Sequence, residues 1–151
     1  MVLSDDMLNI TLAVVFGAAI GAEREISGKA AGLRTNILIC LGAAVFTIIS
    51  RQMAGGIDSF TRIAAQIVTG VGFLGAGAII RDRGGILGLT TAATIWLVSS
   101  IGMACGAGLQ SLAAVSTLIA IIVLMGLGRL EKSLQRYGRK HKLPNLPDKQ
   151  N

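Results

Sequence analysis

A chain of 151 residues has room for one domain, and 52% hydrophobic residues with a mean hydropathy of +0.68 put it above ordinary soluble usage. Charge-free runs cover Met7 to Ala22, Thr35 to Ser50, Ile63 to Ile80 and Gly84 to Gly128, the last long enough for two spans and a turn. This pattern excludes a soluble globular fold, and the net charge of +6, with half its cations after residue 128, points to the lipid bilayer and no nucleic acid.

Asp5 and Asp6 stand where a signal peptide carries positive charge, so the first span, about residues 7–22, is expected to stay attached. It holds Gly17 and Gly21 at the four-residue spacing that lets helices approach closely. A polar loop over Ile26 to Arg34, broken by Gly28 and Gly32, leads to a second span at about 35–50; Gly55, Gly56 and Asp58 mark the next loop. The third span, about 63–80, contains Gly70-Val-Gly72-Phe-Leu-Gly75, which also spells the dinucleotide fingerprint. That fingerprint needs a strand before it, a helix after it and an acid about 20 residues on. Here one apolar run surrounds it and the region around Ile95 and Trp96 has no acid. Gly72, Gly75 and Gly77 are therefore expected to pack a neighbouring helix, with this span at the centre of the bundle.

Arg81 to Gly85 reads as a tight charged turn, and Gly88 to Thr91 as a helix start capped by a threonine hydroxyl. The fourth span falls at about 91–105, Gly106 to Gly108 break it, and the fifth runs over about 109–127. In the basic tail, 129–151, the spacing of Leu127, Leu130, Leu134 and Tyr137 suits an amphipathic helix on the inner leaflet, or the tail is a plain topology signal; Pro144 to Asn151 reads as disordered.

The expected fold is all-α: a polytopic bundle of five transmembrane helices over residues 1–128. Two Lys and Arg residues fall on one side and twelve on the other, which puts the amino terminus outside and the carboxyl terminus in the cytoplasm. In that arrangement most of a bilayer separates Cys40 from Cys105, too far for a disulfide, which allows about 7 Å between alpha carbons. Both read as small packing residues, with an intersubunit bond through Cys105 as the alternative.

Glu23, Glu25 and Asp82 fall at the cytoplasmic boundary, where carboxylates hold Mg2+ mostly through waters; pairing with Arg24, Arg34, Arg81 and Arg83 is the alternative. The spans themselves lack Asp, Glu, Lys and His, which weakens a proton-coupled carrier. Neutral polar residues remain, chiefly Gln66 and Thr69 in the third span and Thr90, Thr91, Thr94, Ser99 and Ser100 in the fourth. Gln66 either ties helices together or lines a path for a polar ligand or ion. Ala65, Thr69, Gly72 and Ala76 recur as a stripe of small residues. Trp96, inside its span, is expected to pack in the bundle with its indole N–H bonded. No Ser, Cys or His arrangement suggests an enzyme, and the single histidine, His141, is in the tail. Five short spans enclose little volume, so a homo-oligomer is expected, a dimer through Gly17 and Gly21 or through the third-span glycines.

Three blocks resemble the membrane domain of the MgtC/SapB family of bacterial inner-membrane proteins: GAAIGAERE at Gly17 to Glu25, AGLRTN at Ala31 to Asn36, and Arg62 to Gly77 followed by GLTTAATIW at Gly88 to Trp96. The resemblance implies a role under magnesium limitation and in virulence. It implies a regulator working through helix contacts with a membrane partner such as the ATP synthase, or else a magnesium or other ion transporter. By resemblance the functional positions are Glu23, Arg24, Gly32, Leu33, Arg34, Thr35, Arg62, Gln66, Gly72, Gly75, Gly77, Thr91 and Trp96. Thr90 and Leu97 depart from the virulence branch, which points to the less characterised one.

Overall fold

Inside a bilayer every backbone N–H and C=O must be satisfied within the chain, so long apolar runs become helices. The computed structural model describes residues 2–53, 57–82 and 85–140, with side chains over 4–53, 61–81 and 85–126. Its helices are α1 (Val2–Ile26), α2 (Leu33–Met53), α3 (Ile57–Gly77), α4 (Leu89–Gly106) and α5 (Gln110–Lys140); a hairpin of β1 (Ile80–Asp82) and β2 (Gly85–Leu87) joins α3 to α4. Ser4–Ile26, Leu33–Met53 and Leu89–Gly106 are long and apolar enough to cross a membrane, and α5 has a shorter apolar stretch, Gln110–Gly126. Large side chains such as Val15, Leu38, Phe46, Leu118 and Ile122 face outward, while Ala13, Ala44, Ala113, Thr47 and Thr117 are buried among a few larger aliphatics. A water-soluble bundle is built the other way round, so lipid is the natural solvent for this surface. Thr47 and Thr117 each bond back to the carbonyl four residues earlier, which hides their hydroxyls within their own helices.

Helix α2 is held on two sides by glycines. A Cβ at Gly17 of α1 would stand 2.9 Å from the Asn36 carbonyl oxygen, and one at Gly21 would stand 2.8 Å from the Leu33 Cα. On the other side Gly102 and Gly106 of α4 press on the carbonyls of Cys40 and Ala44, and a Cβ at Gly106 would stand 2.8 Å from that of Thr47. Helix α3 is at the edge instead. Gly75 approaches Ala92 of α4 at 3.6 Å, but nothing lies within 4 Å of a Cβ at Gly70, Gly72 or Gly77, and Phe73 is 81% exposed. The expectation that α3 centres the bundle is thus corrected, and Gly72 and Gly77 make no helix contact among the described residues. The glycine pairs at 17 and 21 and at 102 and 106 make the closest approaches instead, and Gly106, expected only as a helix break, belongs to the second.

The cysteine separation is corrected too. Gly102 meets Cys40, so Cys105 lies within one turn of that contact, and both free thiols belong to one buried core. The expected charged turn is a hairpin, with Ile80 paired to Leu87, Arg81 to Ile86 and Asp82 to Gly85. It ends α3 at Gly77 and adds a two-stranded element to the all-α expectation; Arg83 and Gly84 lie outside the described residues. Gly88 has φ of 90°, and a Cβ there would overlap the Ala78 carbonyl, so only glycine lets the hairpin close on α4. This glycine is the N-cap of α4, with no side-chain capping bond, in place of the threonine cap expected. At the other end of α4, the amides of Ala107, Gly108 and Leu109 take up the carbonyls of Met103, Cys105 and Ala104, and the chain reverses into α5. Helix α5 continues unbroken to Lys140; His141 and the stretch from Pro144 to Asn151 lie outside the described residues.

Because α1 begins at Val2, Asp6 is helical and only 7% exposed, which corrects the expectation of spans without acids. Its carboxylate accepts hydrogen bonds from the Arg51 guanidinium and from Gln52 Nε2 at 2.8 Å. Nearby, Gln110 Nε2 donates to Asn9 Oδ1 at 3.0 Å. Together these bonds tie the start of α1 to the end of α2 and the start of α5. Asp6→Ala is expected to cost about 1–2 kcal/mol, at the lower end for a charged hydrogen-bonded pair because Arg51 is partly solvated. Asp6→Asn, which keeps an acceptor for Gln52, should cost less; unfolding midpoints in mixed micelles measure both.

Candidate functional site

The opposite end of the bundle collects buried polarity with incomplete pairing. Near its carboxyl end α1 presents Arg24 inward, only 3% exposed. Arg24 Nη2 donates to Thr91 Oγ1 in the first turn of α4 at 3.3 Å, and Nη1 stands 3.9 Å from Glu23 Oε2. Arg24 Nε and Glu23 Oε2 are buried with no hydrogen-bond partner. Packed against Gly21, fully buried Asn36 donates from Nδ2 to the carbonyls of Ala31 and Gly32, both at 2.8 Å, and leaves its Oδ1 without a partner. A guanidinium held by one long hydrogen bond and one distant carboxylate is poorly compensated for its desolvation, an arrangement found where a site serves recognition.

Between α2 and α3, next to this cluster, lies a groove of about 830 Å³. Arg34, Thr35 and Thr91 line its polar end, and residues such as Leu38, Phe46, Ile67 and Leu74 line the rest. Arg24, Arg34 and Thr91 are thereby brought to one end of the molecule. Arg62 and Gln66 are not: they are exposed on α3 beside a separate recess of about 440 Å³ shared with Ile63 and Ala65. Trp96 is 54% exposed, beside a third recess of about 200 Å³ formed with Val68 and Met103 among others, which corrects the expectation of a packed indole.

Two of the three expected metal ligands have partners within the chain. Glu25 Oε2 accepts the Leu33 amide at 3.0 Å and so caps the start of α2, while Glu23 Oε1 accepts from Ser27 Oγ at 2.7 Å. Asp82 ends β1, and its side chain lies outside the described residues. Among the described residues no three of His, Cys, Asp and Glu converge on a point that could hold a metal ion. Of the span-four threonines, Thr94 bonds back to the Thr90 carbonyl and Thr91 alone reaches across to a charged group.

Sequence reasoning missed Asn36, Gly102, Gly106 and Asp6. Gly102 and Gly106 repeat the spacing of Gly17 and Gly21 and were legible on that ground. Asn36 had a weaker signal, a polar amide at the second position of an otherwise apolar run.

The MgtC family profile matches residues 10–133. Protein MgtC of Brucella abortus is 50% identical over 111 residues, 74% of this chain and 46% of that protein. Protein MgtC of Salmonella typhimurium is 50% identical over 115 residues, 76% of this chain and 49% of the relative. The putative magnesium transporter YhiD of Escherichia coli is 43% identical over 125 residues, 78% of this chain and 58% of the relative. The chain thus spans about half the length of the curated relatives it matches, and by identity it stands no farther from the MgtC proteins than from YhiD. No solved structure matches it. Profile and relatives agree over most of its length, and the outward-facing apolar helices fit them: the chain belongs to the MgtC family and is a multi-pass membrane protein.

Proposed function

We propose that this is a bacterial inner-membrane protein of magnesium homeostasis that acts as a regulator, through helix contacts with another membrane protein. The magnesium link rests on the family and on the relative named a putative magnesium transporter. Five spans, with the amino terminus outside and the basic tail inside, follow from the distribution of Lys and Arg. The observation that carries the regulatory reading is the outer face of α3. Ala65, Thr69, Gly72 and Ala76 form an exposed stripe of small side chains at helical spacing, and none of the described residues lies within 4 Å of a Cβ at Gly72. Gly17, Gly21, Gly102 and Gly106 each serve a close backbone approach within the chain. A partner helix fits the α3 stripe in the same way, whether it comes from a complex such as the ATP synthase or from a second copy in a dimer. The face of Gly17 and Gly21 is filled by α2, so the α3 stripe is the route for either.

Reconstituted in liposomes with a magnesium indicator, the protein is expected to transport nothing. The pair Gly72→Leu and Ala76→Leu should abolish copurification of the partner without moving the unfolding midpoint. Magnesium uptake lost in Glu23→Ala or Gln66→Ala would establish a carrier instead.

A further inference from the structure

We infer that the groove between α2 and α3 seats an acyl chain of an anionic membrane lipid, with the lipid headgroup on Arg34. The shape argues first. From Arg34 to Phe46 the groove follows twelve residues of α2, about 18 Å at 1.5 Å per residue, close to the roughly 15 Å depth of one leaflet. Apolar side chains such as Leu38, Phe46, Ile67 and Leu74 line it over that length, a surface complementary to hydrocarbon. Gly42, Gly70 and Gly77 line it without side chains, and nothing comes within 4 Å of a Cβ at any of them. The open width of the groove is theirs.

Charge argues second. Arg34 is the single ionisable residue in the lining, it is exposed, and it forms no ion pair among the described residues. Beside it stand the hydroxyl residues Thr35 and Thr91, and behind Thr91 lies the buried Arg24 with its Nε unpartnered. A cationic mouth over an apolar trough one leaflet deep complements a phosphate headgroup with its attached chain. This surface is separate from the α3 partner stripe: residues 67, 70, 74 and 77 face the groove, and residues 65, 69, 72 and 76 lie on the opposite side of the helix. The lipid site therefore stands whether or not the regulatory reading does.

Native mass spectrometry of the full chain tests it, with phosphatidylglycerol and phosphatidylcholine of identical acyl chains as probes. One bound phosphatidylglycerol is expected, preferred over phosphatidylcholine by about fivefold, the contribution of one arginine near a membrane surface. Arg34→Gln should bring that preference to unity while chain binding persists. Gly42→Phe, which fills the trough, should remove both lipids, and Gly42→Leu should remove most of them should the phenylalanine variant not fold. Equal binding of the two lipids by the unaltered protein would overturn the proposal. So would glycerol phosphate binding as well as the intact lipid, unchanged lipid binding in folded Gly42→Phe or Gly42→Leu, or loss in those variants of a second protein copy instead of a lipid.

Discussion

Gly102→Ala is expected to cost at least about 3 kcal/mol, beyond the usual range for overpacking, and Gly106→Ala somewhat less. The alanine methyl at 102 would overlap the backbone carbonyl of Cys40 and come to 3.0 Å from the Ala43 Cβ. A backbone carbonyl inside a helix cannot swing aside like the end of a flexible side chain, so relief requires moving α4 away from α2. That movement opens the core around Cys40, Ala44, Val98 and Cys105, where contacts are lost for every residue at once. Gly72→Ala provides the control. It meets nothing among the described residues and should gain about 0.5–1 kcal/mol from the greater helix preference of alanine. Unfolding midpoints of the three variants in mixed micelles, followed by far-ultraviolet circular dichroism, decide the matter. Should Gly102→Ala and Gly72→Ala behave alike, the α2–α4 approach described here is wrong.

The contrast between these glycines marks how far the sequence could be read. Helix number followed from charge spacing and from the glycines at 106 and 108, because a bilayer favours helices in apolar runs of this length. Which glycine pair made a contact did not follow. The spacing of residues 17 and 21, of 102 and 106, and of 65, 69, 72 and 76 carries the same local signal, and only the three-dimensional arrangement separates pairs filled by the same chain from a stripe left open. Trp96 and Asp6 failed for a related reason. Both were judged by depth along a span, whereas exposure depends on the side of the helix and on where the helix begins. Around the site, Arg24, Arg34 and Thr91 were legible by family resemblance, but the link between them was not. Residues 24 and 91 are 67 positions apart, and the 3.3 Å bond between them needs α1 and α4 to meet at one end of α2.

Arg24 gives the second large effect, and its interest is in separating stability from function. Arg24→Ala should cost about 3–5 kcal/mol, because it leaves Glu23 buried beside no cation and strips Thr91 of its donor. Arg24→Lys keeps the charge but not the planar fork, cannot serve Thr91 and Glu23 together, and should fall between Arg24→Ala and the unaltered protein. The double variant Arg24→Met with Glu23→Gln is the sharper experiment. It removes both charges and fills the same space, so it escapes the desolvation that one 3.3 Å hydrogen bond and one 3.9 Å ion pair hardly offset. Replacements of this kind are often neutral or stabilising by about 1–4 kcal/mol. The double variant is therefore expected to unfold no earlier than the unaltered protein, and yet to weaken the preference for anionic lipid that Arg34 sets, because Thr91 beside it loses its anchor. A double variant that is both less stable and fully functional would show that Arg24 and Glu23 serve the fold alone. Stability retained with function lost would show that the unpartnered polar atoms at this end are kept for what binds there.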